Sequence, residues 1–263
     1  MARRSNKHSV LCVGLDPDPA LLPAQFNGVN GVLSFLQLIV RATANEACAY
    51  KPNVAFFEAM GQAGWEIFTA LIETIRKESP ESLIVADAKR GDLGNTARFY
   101  AQTFFDTYDC DGLTVNPYMG LESLHPYDSY PDRGVFTLCL TSNPGAAQFQ
   151  LRGTPPLYEE VAAAVEERQR ITGNYWMVAG ATRASESLTR IKKLAPSVPL
   201  LIPGIGAQGG ELATVLNACG TDVLINSSRG IMYAYKETGK DIDTAANGAA
   251  LKLNQEIKAL VSL

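Results

Sequence analysis

The sequence predicts an α/β protein, a single-domain (β/α)8 TIM barrel over residues 1–263, and three observations carry that prediction. Short apolar runs alternate with longer amphipathic ones from end to end, the alternation repeats eight times, and polar or charged residues stand where the apolar runs stop. A length of 263 residues suits one such barrel. No linker, low-complexity tract or charge run divides the chain. An open doubly wound sheet is compatible with the same alternation, and it is the eightfold count that favours closure.

In chain order, strands are expected at 10–15, 49–52, 83–89, 112–115, 134–140, 175–178, 200–203 and 222–226. Helices are expected at 31–48, 64–78, 93–107, 157–172, 185–195, 209–218 and 245–262, with a weakly marked eighth at 121–129. The last of them shows the pattern well: Ala246, Ala250, Leu253, Ile257 and Leu260 recur at spacings of three and four and share one face.

Composition narrows the function classes. With 23 basic and 27 acidic residues the net charge is −4, so no polyanion-binding surface is implied, although a local basic pocket can still hold one phosphate. Nucleic acid and membrane are poor partners for such a chain, and no apolar run approaches the roughly 20 residues of a membrane helix. The five cysteines, Cys12, Cys48, Cys110, Cys139 and Cys219, lack zinc or redox spacing and read as buried thiols of a reducing cytosol. Arg3-Arg4 precedes no apolar segment before the turn at Asp16-Pro17-Asp18-Pro19, so a cytoplasmic protein is expected.

In a barrel the polar residues that end the strands converge on one mouth, where active sites of this architecture lie. Those residues are Asp16, Lys51, Asp87 with Lys89, Asn116, Ser142, Gln208 and Arg229, a set too charged for a packing layer. Asp87 and Lys89 are two apart and so share a strand face, while Ala86 and Ala88 face the helices. A buried ion pair would explain Asp87 and Lys89 alone, and an N-cap on the helix beginning near Leu93 would explain Asp92. Lys51 on the adjoining strand turns the pair into an alternating cluster, and Thr96 lies one helical turn beyond Asp92.

The stretch Pro203-Gly204-Ile205-Gly206-Ala207-Gln208-Gly209-Gly210 contains G-x-G-x-x-G between a strand and a helix. A dinucleotide fold would carry it in the first βα unit rather than the seventh, and Glu211 is too near to reach a ribose. The mechanical reading remains: small residues let backbone amides approach a phosphate, which barrels often bind after strands seven and eight. Arg229 would supply a forked guanidinium there, or is a surface arginine on a connection. Asp16 before Pro17 reads as a turn residue or a site residue, and Ser142-Asn143-Pro144-Gly145 opens either a plain turn or a lid reaching Pro155-Pro156. His8 and His125 lie outside the strand-end set, and G-x-S-x-G, H-E-x-x-H and P-loop motifs are absent from the sequence.

Gly14-Leu15-Asp16-Pro17, Tyr50-Lys51-Pro52, Asp87-Ala88-Lys89-Arg90-Gly91-Asp92, the glycine-rich stretch at 203–210 and Ser228-Arg229-Gly230 together resemble the orotidine 5′-phosphate decarboxylase family across essentially the whole chain. Asn116-Pro117-Tyr118-Met119-Gly120 and the extended segment to Arg133 resemble its longer bacterial branch. The resemblance implies loss of carbon dioxide from orotidine 5′-phosphate to give uridine 5′-phosphate in pyrimidine biosynthesis, with no metal and no organic cofactor. It implies that Lys89 donates a proton to ring carbon six, that Asp87 faces the substrate carboxylate, and that Lys51 and Asp16 contact ribose hydroxyls. Ser142 would bind the pyrimidine and Gln208 with Arg229 the phosphate, with Pro203 and Ser228 completing the substrate-binding set. Asp92 and Thr96 would enter the partner's site, which implies a homodimer. Leu93 stands where isoleucine is common and Asn143 where some members carry histidine. A magnesium-dependent sugar-phosphate enzyme of the same barrel group would carry an acidic residue where this chain has Lys51, and a noncatalytic nucleotide-binding module would not need the charged set.

Overall fold

The computed structural model describes residues 9–180, 184–205 and 209–261. Eight parallel strands close into a barrel in the order β1-β2-β3-β4-β5-β6-β7-β8, with β8 pairing back onto β1. The strands are β1 Leu11–Leu15, β2 Ala49–Pro52, β3 Leu83–Arg90, β4 Gly112–Val115, β5 Gly134–Leu140, β6 Tyr175–Ala179, β7 Leu200–Pro203 and β8 Val223–Ser227. The helices are α1 Val29–Thr43, α2 Val54–Glu58, α3 Gly61–Glu78, α4 Gly94–Ala101, α5 Leu157–Thr172, α6 Ala184–Leu194, α7 Gly209–Cys219, α8 Arg229–Met232, α9 Tyr235–Thr238 and α10 Ile242–Leu260.

Strand alternation sorts the core into two compartments. Cys12, Ala49, Leu83, Val85, Phe136, Val178, Leu201 and Leu224 fill the barrel interior. Their strand neighbours Leu11, Val13, Tyr50, Ile84, Ala86, Val135, Met177, Leu200, Ile202, Val223 and Ile225 pack outward against the helices. All five cysteines are buried thiols outside any disulfide, and burial pushes Cys139 up to about 12 and Cys219 up to about 11.

The departures from expectation have local causes. The first long helix stops at Thr43 rather than running to 48, because the chain must turn for the Cys48 amide to donate to the Leu11 carbonyl at 2.9 Å and open β2. The helix expected at 93–107 is α-helical only to Ala101 and continues as a π-helical turn over Gln102–Thr107. Between β4 and β5 the weakly marked helix is a 3-10 segment, Leu121–Ser129, with Pro126 inside it; proline lacks the amide that an α-helix would use. The strand expected at 222–226 lies one residue later, at Val223–Ser227.

The end of the barrel opposite the mouth is held by charge. Asp111, just before β4, is 4% exposed; its Oδ2 accepts from the Ile84 amide at 2.8 Å and pairs with Arg76 Nη1 at 2.9 Å, and its Oδ1 lies 3.6 Å from Arg133 Nη1. The arginines also donate to the carbonyls of Asp109 and Cys110. Asp111→Ala would leave the buried Ile84 amide without its acceptor, while Arg76 and Arg133 keep Asp109 as an ion-pair partner; an expected loss of about 2 kcal/mol in chemical denaturation checks this, and Asp111→Asn is expected to lose less.

Candidate active site

At the mouth the inward alternation of β2 carries Ala49 to Lys51, and that of β3 carries Leu83 and Val85 to Asp87. Lys51 is 4% exposed and its Nζ donates to Asp87 Oδ2 at 2.6 Å. Lys89 Nζ donates to the other oxygen, Oδ1, at 2.7 Å, and its side chain is half-exposed. One carboxylate thus bridges a buried ammonium and an open one. Burial alone would push Asp87 up and Lys51 down, but the charges win: Lys51 and Lys89 hold the Asp87 carboxyl well below the usual carboxylate range, and Asp87 holds Lys51 above the usual lysine value.

Lys89 does not reach this position by regular alternation. Between Ala86 and Arg90 the strand slips against β4: Ala86 pairs with Leu113 and Arg90 with Val115, so four residue steps on β3 match two on β4. Lys89 sits in the left-handed region, with φ 49°. Thr114 holds it there, accepting from the Lys89 amide at 2.9 Å and donating to Asp87 Oδ1 at 3.0 Å. Thr114 was not among the sequence candidates; its signal is a hydroxyl at an inward position of the apolar run Gly112–Val115. Arg90 turns outward, paired with Glu58 and lying over the rings of Tyr100 and Phe104 at 5.4 and 5.8 Å.

Asp16 directly follows β1. Its neighbour Asp18 makes the turn bond, accepting from the Ala20 amide at 2.9 Å, whereas Asp16 Oδ1 is buried with no hydrogen-bond partner. The Asp16 backbone is anchored instead, its amide donating to Met232 Sδ and its carbonyl accepting from the Tyr233 hydroxyl. Asp92 is not the N-cap, which is Leu93; it accepts from the Leu93 amide at 2.7 Å. Within this chain Asp92 makes no ion pair with Lys51 or Lys89, and Thr96 is exposed on the first turn of α4.

Ser142, exposed after β5, lies against Gly180 after β6: a Cβ on Gly180 would stand 2.7 Å from the Ser142 amide nitrogen, so only glycine admits the serine. The segment that follows is folded back onto β5, with Gln150 Oε1 accepting from the Thr141 amide at 2.7 Å and a 3-10 turn at Pro144–Gln148. Asn116 has a turn role, accepting from the Tyr118 amide at 3.0 Å. Pro203 ends β7 beside Asn226 of β8. Gln208 lies outside the described residues. Ser228 follows β8, and Arg229 opens α8 in an exposed position. Gly14 meets this corner closely: a Cβ there would overlap the Ser228 hydroxyl and stand 3.1 Å from Asn226 Oδ1. A separate cleft outside the barrel, lined by Asn95, Arg98, Asp106 and Tyr130, holds none of the strand-end residues.

Lys51→Met would leave Asp87 buried with one exposed partner, and denaturation should show a loss of about 3 kcal/mol. The lowered Asp87 contributes stability that is present above the usual carboxylate range and lost as pH falls through its folded value. The raised Lys51 contributes stability present below about 10.4, its ordinary value, and lost as pH rises through its folded value. Denaturation midpoints should therefore fall on both flanks in the wild type, and both flanks should flatten in the Lys51→Met, Asp87→Leu double variant.

Comparison with known proteins gives the site its family. The family model described as orotidine 5′-phosphate decarboxylase / HUMPS matches residues 9–240. A relative from Cupriavidus necator named orotidine 5′-phosphate decarboxylase is 46% identical over 256 residues, covering 95% of this chain and 92% of that protein. One of the same name from Dehalococcoides mccartyi is 45% identical over 268 residues, covering 98% and 95%. The solved structure of Leishmania donovani OMP decarboxylase is 36% identical with a TM-score of 0.84, covering 97% of this chain and 94% of that one. With a matched model spanning most of the chain and relatives of that name 46 and 45% identical over nearly all of it, the chain belongs to the orotidine 5′-phosphate decarboxylase / HUMPS family.

Proposed function

We propose that this chain converts orotidine 5′-phosphate to uridine 5′-phosphate and carbon dioxide, as a step of pyrimidine biosynthesis, using protein side chains alone. The observation that carries the reading is the Lys51–Asp87–Lys89 chain of contacts at the barrel mouth, at 2.6 and 2.7 Å, in a sequence 46% identical to a protein of that name. When the bond from ring carbon six to the carboxylate breaks, its electron pair stays on that carbon. The half-exposed Lys89 ammonium opposes that charge and transfers one proton to the carbon, and the lysine regains its proton from solvent. The charge develops only as the bond breaks, so this interaction favours the transition state over the substrate.

Asp87, kept ionised by its two lysines, positions Lys89 and faces the substrate carboxylate. Asp16 and Lys51 take ribose hydroxyls; the unpartnered Asp16 Oδ1 is an acceptor suited to that task. Ser142 takes the pyrimidine, and Arg229 grips the phosphate with Gln208, Pro203 and Ser228 around it. A magnesium-dependent reading is disfavoured by Lys51, whose ammonium occupies the place at Asp87 that a second carboxylate would need to fill.

A homodimer is part of the proposal, with Asp92 and Thr96 serving the partner's site. Two observations support it: Asp92 has no ion pair to the lysines of its own chain, and the large apolar residues Leu93 and Phe99 after β3 and Tyr118 and Met119 after β4 are 45–77% exposed.

The ultraviolet absorbance of orotidine 5′-phosphate should change to that of uridine 5′-phosphate with pure protein and chelator present; no turnover sinks the proposal. Lys89→Ala is expected to lower kcat by at least about a thousandfold in the same assay. Mixing Lys89→Ala with Asp92→Ala should restore about a quarter of wild-type activity under statistical subunit exchange. Exchange shown by mass, with activity still absent, removes Asp92 from the shared site.

A further inference from the structure

On β8, Leu224 faces the barrel interior, while Val223 and Ile225 face the helices, so Asn226 points inward above Leu224. It is 4% exposed and lies between Cys12 of β1 and Pro203 of β7 in the strand register. Its Nδ2 donates to the Ser228 hydroxyl at 3.3 Å, and its Oδ1 is buried with no hydrogen-bond partner. An orphaned buried acceptor destabilises a fold, and an apolar side chain of like volume would fill the place without one. The amide is therefore poorly explained by packing. What it does touch is the residue that precedes Arg229, in a corner so tight that Gly14 opposite it admits no side chain.

We propose that Asn226 is a positioning residue of the phosphate grip: by holding the Ser228 hydroxyl against Gly14 it sets the turn from which Arg229 leaves the barrel. The inference rests on the phosphate-binding reading of Arg229 given above. Ser228 is the link, because its carbonyl also accepts the Ile231 and Met232 amides, at 3.1 and 2.9 Å, and so fixes the start of α8 behind Arg229. Asn226 and Ser228 thus hold the side-chain and main-chain ends of one turn.

The test is Asn226→Leu, assayed with orotidine 5′-phosphate as substrate and with uridine 5′-phosphate and uridine as competing inhibitors. A lost hydrogen bond predicts that kcat/KM falls, and the inhibition constant of uridine 5′-phosphate rises, by about tenfold. The constant for uridine, which has no phosphate, is unchanged, and Tm is equal to or above that of the wild type. Ser228→Ala, which leaves Asn226 and the strand in place, should show the same phosphate-selective loss, and the double variant should lose no more than the larger single loss. Equal weakening of both inhibitors, or an unchanged uridine 5′-phosphate constant in Asn226→Leu, overturns the proposal. Should Asn226→Leu fail to fold, a packing role is shown and the proposal falls. A wild type that turns over no substrate defeats the decarboxylase reading instead, so the two failures are distinct.

Discussion

A carboxylate with two ammonium partners organises this molecule. Asp87 lies where solvent reaches only a little of its side chain, and a lone charge there would be neutralised or expelled. Lys51 prevents that from beneath and Lys89 from above, so three residues on two strands must be in register before any of them is tolerable. The requirement reaches into the backbone. β3 leaves its regular pairing with β4, and Lys89 takes a left-handed conformation that Thr114 secures from the neighbouring strand. A left-handed conformation is uncommon in a non-glycine residue and needs surrounding structure to hold it, which Thr114 supplies here.

The two ends of the barrel use charge differently. At the closed end, Asp111 accepts the Ile84 amide and pairs with the Arg76 guanidinium, and the cluster holds β3, β4 and α3 together. At the mouth the groups are left partly unmatched. Asp16 Oδ1 and Asn226 Oδ1 are buried without partners, and Lys89 is open on one side.

Close approach sets the remaining geometry. Gly14 beside Ser228 and Gly180 beside Ser142 each stand where a methyl group would collide with the residue opposite, so the serines after β5 and β8 are seated by glycines on adjacent strands. These pairs join β8 to β1 and β5 to β6, and the first of them forms only because the sheet closes.

Alternating apolar runs were enough to place the strands within a residue at most ends, because burial on both faces of a parallel sheet leaves a contiguous apolar signal. The charged strand ends were legible too: Asp87, Lys89 and Lys51 stand out since lysine and aspartate are costly to bury unless paired. Weak local signals misled where the backbone departs from regularity, as in the π-helical turn at Gln102–Thr107 and the 3-10 segment around Pro126. Sequence alone thus determined the barrel, its mouth and its charged inventory, since each follows from residue type and period along one strand. Only the tertiary structure decided that Thr114 secures Lys89, that Asp16 Oδ1 has no partner while Asp18 makes the turn bond, and that Asn226 reaches Ser228 across from Gly14. Those facts depend on register between strands and on the slip in β3, which are properties of pairs of segments and leave no mark in either one alone.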